Sequence, residues 1–111
     1  MNSLDLPQGT LELLVLQTLQ VEPQHGWGIS ERINGRSNGA LQVQQGSLYP
    51  ALHRMERKGL IKAEWRMSEN GRRAKYYQLT ATGRDQLLAE TANWMRLTAA
   101  VALVLSPGET G

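Results

Sequence analysis

The segment "QQGSLYPALHRMERKGLI", residues 44–61, decides the fold because it combines an amphipathic helix with a cluster of cations. When Leu48 is set at zero and each residue turns the helix by about 100°, the apolar residues fall on one stripe. The residues of this stripe, which we predict to be buried, are Leu48, Ala51, Leu52, Met55 and Gly59. The opposite side carries Pro50, His53, Arg54 and Arg57. The segment therefore predicts a helix with an apolar inner face and a cationic outer face.

The ends of this helix also have local signals. Ser47 is of the type that caps helix N-termini, which would put Pro50 in the first turn, where the missing amide costs little. Gly59 is typical of the residue that follows a helix and adopts a left-handed conformation. A helix that begins near residue 47 and ends before residue 59 is predicted.

Two helices precede it. In "TLELLVLQTLQ", residues 10–20, leucine and valine recur at helical spacing, with prolines at positions 7 and 23 on either side. "HGWGISERING", residues 25–35, predicts a second, short helix whose apolar face contains Trp27, Ile29 and Ile33. The polar, glycine-containing segment "RSNGALQVQQG" predicts a loop.

A β-hairpin is predicted after residue 59. "LIKAEWRM" alternates, with Ile61, Ala63, Trp65 and Met67 on a half-buried face and charged residues between them. Asn70-Gly71 is a strong hairpin-turn signal, and "AKYYQLT" is the returning strand. Because Tyr76 and Tyr77 alternate, one of them is expected to face inward.

The last predicted element is a long helix over residues 81–105, capped by Thr80. Its second half, "WMRLTAAVALVL", is apolar on nearly every side, so more than one of its faces must be covered. A domain this small cannot cover all of them, and a second copy of the chain is therefore expected. The predicted fold class is mainly α with a small β-hairpin, in the order of a winged helix-turn-helix. The predicted domains are residues 1–80 for the winged helix, 81–105 for dimerisation and 106–111 for a flexible tail.

Charge is unevenly distributed along the 111 residues, although the net charge is only +2. The cations between residues 44 and 84 are Arg54, Arg57, Lys58, Lys62, Arg66, Arg72, Arg73, Lys75 and Arg84. The carboxylates in that range are Glu56, Glu64 and Glu69. Two basic elements in winged-helix order, the helix and the hairpin, favour phosphate binding. A solvated helix face is the alternative explanation for Arg54, Arg57 and Lys58.

Composition disfavours several other functions. The absence of cysteine excludes disulfides, thiolate catalysis and thiolate metal sites, and two histidines make a histidine-rich metal site improbable. No phosphate-binding glycine loop or nucleophile elbow is present, so we expect neither an enzyme nor a bound cofactor or metal. No secretory signal or membrane span is predicted, and a cytoplasmic protein that does not interact with membranes is expected.

Individual residues have competing interpretations. Tyr49 suits a DNA contact through its hydroxyl or a place at the edge of the core, and His53 suits a DNA contact or a plain surface position. Gln44 and Gln45 suit contacts to a base edge or phosphate, or a purely structural loop. The two tryptophans at positions 27 and 65 lie on apolar faces and are predicted to be core residues.

Several motifs together resemble the PadR-like family of transcriptional regulators. They are "GTLELLVLQTL", "HGWGISERI", "GSLYPALHRMERKGLI", "EW" and "ENGRRAKYYQLTATGRDQL", and they span about residues 8–90. The resemblance implies a homodimeric winged-helix repressor that binds a palindromic operator in double-stranded DNA. The short chain after the winged helix is similar to the subgroup in which the last helix mediates dimerisation.

The resemblance also implies roles for residues. The predicted DNA-binding residues are Gln44, Gln45, Ser47, Tyr49, Pro50, His53, Arg54, Arg57, Arg72, Arg73 and Lys75. The predicted dimerisation residues are Leu11, Leu88, Trp94, Met95, Leu97, Thr98, Val101, Ala102 and Leu105. Because family members often respond to small aromatic compounds, Trp94 is a candidate effector contact, with simple packing across a dimer as the alternative. A winged-helix module that binds another protein and no DNA is the competing function.

Overall fold

The computed structural model describes residues 6–108, so residues 109–111 of the predicted tail lie outside the described part. The elements are α1 (Gln8–Val21), β1 (Gln24–His25), α2 (Gly26–Arg36), α3 (Gln45–Arg57), β2 (Ile61–Met67), β3 (Arg73–Leu79) and α4 (Ala81–Leu105). Three helices, a hairpin and a long final helix were predicted in this order, and the mainly helical fold class is confirmed.

The strands form one antiparallel sheet in the order β1-β3-β2. In the hairpin, Ile61 pairs with Leu79 at the base and Met67 pairs with Arg73 near the tip. β1 adds Gln24 beside Tyr77 on the other edge of β3. The hairpin was predicted, but β1 was not, because two residues are too few to show a strand periodicity.

The hairpin turn lies at the predicted position but is wider than the two-residue form that Asn-Gly favours. The Gly71 amide donates to the Ser68 carbonyl over 3.0 Å, and the Ser68 amide donates to the Arg72 carbonyl over 2.7 Å. Gly71 has a φ of 76°, while no non-glycine residue of this turn has a positive φ. Glycine therefore takes the left-handed position that closes the turn.

α3 begins earlier than predicted. Gln44 occupies the N-cap position, and both Ser47 and Leu48 donate their amides to the Gln44 carbonyl. The assignment of Ser47 as the N-cap is therefore wrong, and Pro50 lies in the second turn, where its ring leaves the Gly46 carbonyl without the usual helical donor. The backbone of residues 40–44 forms no regular structure, so no preceding element fixes the start of α3. The helix begins where the Gln44 carbonyl accepts the first helical hydrogen bonds.

The C-terminus of α3 is as predicted. Gly59 has a φ of 76°, and its amide donates to the Glu56 carbonyl over 3.0 Å. The Leu60 amide donates to the Met55 carbonyl, also over 3.0 Å. These two bonds form a Schellman motif, which turns the chain from α3 into β2.

The core lies where α1, α2 and α3 meet the sheet. Four residues of the predicted inner face of α3 are fully buried, namely Leu48, Ala51, Leu52 and Met55. Gly59, the fifth, lies beyond the end of the helix and is exposed. α1 contributes Leu11, Val15, Leu16 and Leu19, and Tyr77 is the inward-facing member of the tyrosine pair. Leu11 is only 2% exposed within a single protomer. Its predicted role in dimerisation is therefore wrong, because it already packs inside its own domain.

The two tryptophans that were predicted to be core residues are exposed. Trp27 is 61% exposed and Trp65 is 57% exposed. Trp65 and Met67 lie on the face of the hairpin that is buried at Ile61, but the outer half of the hairpin extends beyond the helices. The alternation therefore predicted the correct face of the strand for Trp65. It could not predict that Trp65 is exposed, because the hairpin is longer than the core beneath it.

α4 is fixed at its beginning and largely exposed after Thr91. Thr80 accepts the Gly83 amide, and its hydroxyl donates to the Gly59 carbonyl over 2.6 Å. Gly83 and Leu87 are its buried residues, and large apolar side chains are exposed from Leu88 onward. The helix makes the protomer 61 Å long in its largest dimension. None of the described helices is long and apolar enough to cross a membrane.

Candidate nucleic-acid interface

The outward face of α3 combines hydrogen-bonding and cationic side chains. Pro50, His53 and Arg57 are exposed and lie opposite the buried stripe, and Ser47 is exposed at the edge of this face. Among the described residues no carboxylate lies within ion-pair distance of Arg57. An exposed, positively charged helix face suits insertion into a DNA groove.

Arg54 does not belong to this outward face. Its Nε donates to Glu12 Oε2 of α1 over 3.2 Å, and Lys58 Nζ lies 3.8 Å from the other oxygen of the same carboxylate. The Glu12 side chain is largely buried, and that of Arg54 is partly buried. The Arg54 guanidinium, predicted to lie with His53 and Arg57, is instead drawn by the acid on α1 to the flank of α3.

The opposite flank of α3 holds the hairpin. Lys75 Nζ on β3 lies 3.7 Å from Glu56 Oε1 on α3, in agreement with the expectation that Glu56 pairs with a neighbouring cation. Part of the Lys75 charge is thereby compensated within the protein. Lys75 remains a predicted DNA contact, and the structure places it at the base of the hairpin's outer half, opposite Trp65.

Arg72 and Arg73 lie at the outer end of the hairpin, and both are exposed. No carboxylate of the described residues forms an ion pair with either guanidinium. Arg73 stacks over the Trp65 ring, with 5.3 Å between the guanidinium carbon and the ring centroid. The predicted pair of basic elements, α3 and the hairpin, thus supplies three uncompensated guanidinium groups.

The N-terminal part of α3 lies close to α2. Tyr49 packs on the backbone of Gly26, where an added Cβ would lie only 2.5 Å from the tyrosine oxygen. The side-chain amide of Gln45 donates to the Ser30 hydroxyl over 3.4 Å, so Gln45 has a structural contact with α2. Gln44 is exposed. Sequence patterns did not single out Gly26 or Glu12, because their importance depends on residues distant in the chain.

Tyr77 lies beneath the space between α3 and the hairpin. Burial raises the pKa of the Tyr77 hydroxyl above its usual value, and the charge of Glu56 and the proximity of Tyr49 raise it further. A tyrosine hydroxyl is neutral at physiological pH even at its usual pKa, and the raised pKa of Tyr77 keeps it neutral to higher pH.

A second concave surface lies between α1 and α4, away from α3's outward face. It encloses about 590 Å³ and is mainly apolar, with Leu13, Leu14 and Leu41 on one side and Thr91 and Trp94 on the other. Trp94 is 39% exposed. The candidate effector residue therefore does line a groove of the size that small organic ligands occupy.

Comparison with known proteins agrees with this architecture. The family model "Transcriptional regulator PadR-like family" matches residues 15–89. A transcriptional regulator of Mycobacterium tuberculosis is 30% identical over 83 residues, which cover 75% of this chain and 74% of that protein.

Two solved structures are similar over most of their length. A PadR-like transcriptional regulator from Bacillus cereus is 30% identical with a TM-score of 0.78, covering 91% of this chain and 96% of that one. A PadR family transcription regulator from Clostridium difficile is also 30% identical, with a TM-score of 0.76, covering 86% of this chain and 98% of that one. Members of this family are regulators of transcription and not enzymes. The chain therefore belongs to the PadR-like family and is a DNA-binding transcriptional regulator.

Proposed function

We propose that the protein is a homodimeric repressor that binds a palindromic operator and is released from it by a small aromatic effector. α3 enters the major groove and the hairpin contacts the flanking backbone. The observation that carries this proposal is the separation of charge around α3. Glu12 and Glu56 compensate cations on its two flanks, while Arg57 and the hairpin arginines remain uncompensated on the outward side.

This separation assigns different tasks to the two elements. On α3, His53 and Ser47 can reach base edges, which carry the sequence information of the major groove. Arg72 and Arg73 are suited to phosphates, which every sequence presents alike. The helix therefore provides most of the sequence preference, and the hairpin provides affinity that does not depend on sequence.

Dimerisation through α4 is supported by its uncovered apolar surface. Leu87 is buried against the core, and the residues that continue its stripe at alternating steps of four and three are Thr91, Trp94, Thr98, Val101 and Leu105. This heptad-like spacing suits packing against another helix. A two-fold dimer would present two copies of α3, which matches a palindrome with half-sites about 34 Å apart.

Effector binding is supported by the groove between α1 and α4. Its lining is aromatic and aliphatic, with Trp94 placed on the helix that would also form the dimer interface. A planar apolar ligand stacked on Trp94 could change the packing of α4 on α1, and thereby the distance between the two copies of α3. Simple packing of Trp94 across the dimer is the alternative function of this side chain.

The experiment titrates the protein into a fluorescently labelled duplex from upstream of its own gene, at several salt concentrations. The anisotropy of the duplex measures binding. We expect a complex whose affinity falls steeply with salt, because phosphate contacts release counterions. Arg73→Ala should weaken binding to all sequences and reduce the salt slope by about one. The matched control is Lys62→Ala. This exposed lysine carries the same charge as Arg73 but lies near the base of the hairpin, on its opposite face.

The outcomes separate the competing functions. No salt-sensitive complex with that DNA would contradict the proposal and favour a protein-interaction module. An equal effect of the Arg73 and Lys62 substitutions would contradict the role assigned to the hairpin. A protein that is monomeric in solution and binds the operator as a single protomer would contradict the proposed assembly.

A further inference from the structure

Three exposed aromatic side chains line one groove between α2, α3 and the hairpin. They are Trp27, Tyr49 and Trp65, which are 61%, 48% and 57% exposed. The groove encloses about 530 Å³, and its hairpin side is formed by Arg72 and Arg73. We call this surface the aromatic groove.

Folding of the protomer does not explain these aromatic side chains. Each leaves about half of its surface or more in water. Large apolar side chains stabilise a fold mainly when they are buried, so these three contribute little to the stability of the protomer. The core is complete without them, since Ile29 and Ile61 supply the buried side chains of the same elements. Their convergence on one concave surface, rather than scattered positions, is typical of a binding surface.

The groove is held in a defined shape. Tyr49 rests on the Gly26 backbone, and an added Cβ there would lie 2.8 Å from its ring carbon Cζ. Trp65 is paired with Lys75 across the hairpin, and the Arg73 guanidinium stacks on its ring. Trp27 is in the first turn of α2, whose N-terminus is capped by His25. The Tyr49 and Trp65 rings are therefore held by contacts within the protomer, and the cap fixes the backbone that carries Trp27.

The chemistry of the lining identifies the kind of ligand. None of the described residues that line the groove is acidic. Its cations are the guanidinium groups of Arg72 and Arg73 and the partly exposed Lys75 ammonium, which is paired with Glu56. Indole rings offer flat apolar surfaces, and guanidinium groups offer paired donors for phosphate oxygens. One DNA strand presents these two features in alternation, an apolar deoxyribose and an anionic phosphate. The groove adjoins the outward face of α3 through Tyr49, so a duplex on that face would pass this groove.

We propose that Trp27 and Trp65 are DNA-contact residues, packing against the deoxyribose units of one strand while Arg72 and Arg73 pair with its phosphates. The proposal rests on the proposed DNA-binding function and extends it to residues that carry no charge. It predicts that part of the affinity comes from apolar contact, which does not change the number of counterions released.

Tryptophan fluorescence tests the proposal directly. The double variants W65F/W94F, W27F/W94F and W27F/W65F each retain one tryptophan, at position 27, 65 or 94. Each is titrated with a mixed-sequence DNA duplex at low ionic strength, since backbone contacts do not require the operator. Emission should change on binding for the proteins that retain Trp27 or Trp65. The protein that retains Trp94 is the matched control, because this residue lines the groove between α1 and α4.

Anisotropy of the labelled duplex reports binding independently of emission. DNA binding without an emission change at position 27 or 65 would overturn this proposal and leave the proposed function standing. Absence of DNA binding would overturn both. An emission change caused by an acidic peptide of matched charge, but not by DNA, would overturn it in favour of a protein partner.

Affinity provides a second measurement that does not depend on fluorescence. Trp27→Leu should weaken binding by about five- to tenfold through lost apolar contact, with the salt slope unchanged. Arg73→Ala should instead lower the slope. An unchanged affinity of Trp27→Leu and Trp65→Leu, in proteins whose helical circular dichroism is retained, would overturn the proposal.

Discussion

Glu12 on α1 accepts a hydrogen bond from the Arg54 guanidinium on α3 over 3.2 Å, although 42 residues separate them in the chain. This pair joins the helix proposed to bind DNA to the helix that carries much of the core. It removes Arg54 from the outward face and leaves Arg57 as the uncompensated cation in the last turn of α3. The contact between these two residues therefore influences both the stability and the charge of the interface.

We predict that Arg54→Ala lowers the free energy of unfolding by up to about 1 kcal/mol and leaves the DNA sequence preference unchanged. The expected loss is modest because the Arg54 side chain is partly exposed and Glu12 keeps Lys58 as a second cationic neighbour. Urea denaturation measures the first effect, and selection from a library of binding sites measures the second. A base position that loses its preference in this variant would show that Arg54 reads DNA after all.

The contrasting prediction concerns His53, which is exposed on the outward face. His53→Ala should reduce discrimination at one base position of each half-site by about 1–3 kcal/mol, because a side chain that contacts a base edge is lost. Stability should remain unchanged. The same site selection applies, with Lys58→Ala as the control on the flank of α3. A uniform loss across all sequences would instead indicate a phosphate contact.

A charge on the apolar stripe of α4 should prevent dimerisation. Val101→Asp places a carboxylate among apolar side chains of the partner, where it cannot be solvated. We expect light scattering to give the mass of one protomer for this variant and of two for the original protein. Asn93→Asp introduces the same charge at a polar position of the same helix and should leave the dimer intact. A dimer of Val101→Asp would place the interface elsewhere.

The junction between α3 and α4 should be sensitive to a single methyl group. At Gly83 an added Cβ would lie 2.0 Å from the Leu60 carbonyl oxygen, which belongs to the backbone and cannot rotate away. Gly83→Ala should therefore lower the free energy of unfolding by about 1–3 kcal/mol.

The control for this prediction is Gly9→Ala in the first turn of α1, where an added Cβ meets nothing within 4 Å. Alanine favours a helix interior over glycine by about 1 kcal/mol, and less in the first turn, so this variant should be as stable as the original or more so. Urea denaturation of both variants and of the original protein measures these free energies of unfolding. Equal stability of the two variants would mean that α4 can shift away from Leu60 without cost.

Features that depend on neighbouring residues in the chain were predictable from the sequence. The bounds of α4 at 81–105, its cap at Thr80 and the C-terminal glycine of α3 all agree with the structure. The start of α3 was misplaced, since Ser47 and Gln44 are both acceptable at a helix N-terminus. Only the donor amides of Ser47 and Leu48 distinguish them.

Sequence alone thus determined the order of the elements, the inner face of α3 and the basic character of the middle segment, because periodicity and charge are local properties. The tertiary structure decided which residues at these positions are available. It buried Leu11, exposed Trp27 and Trp65, and turned Arg54 toward Glu12. Periodicity tells which side of an element a residue is on, whereas burial and pairing depend on how far the neighbouring elements extend and on which distant charge they bring close.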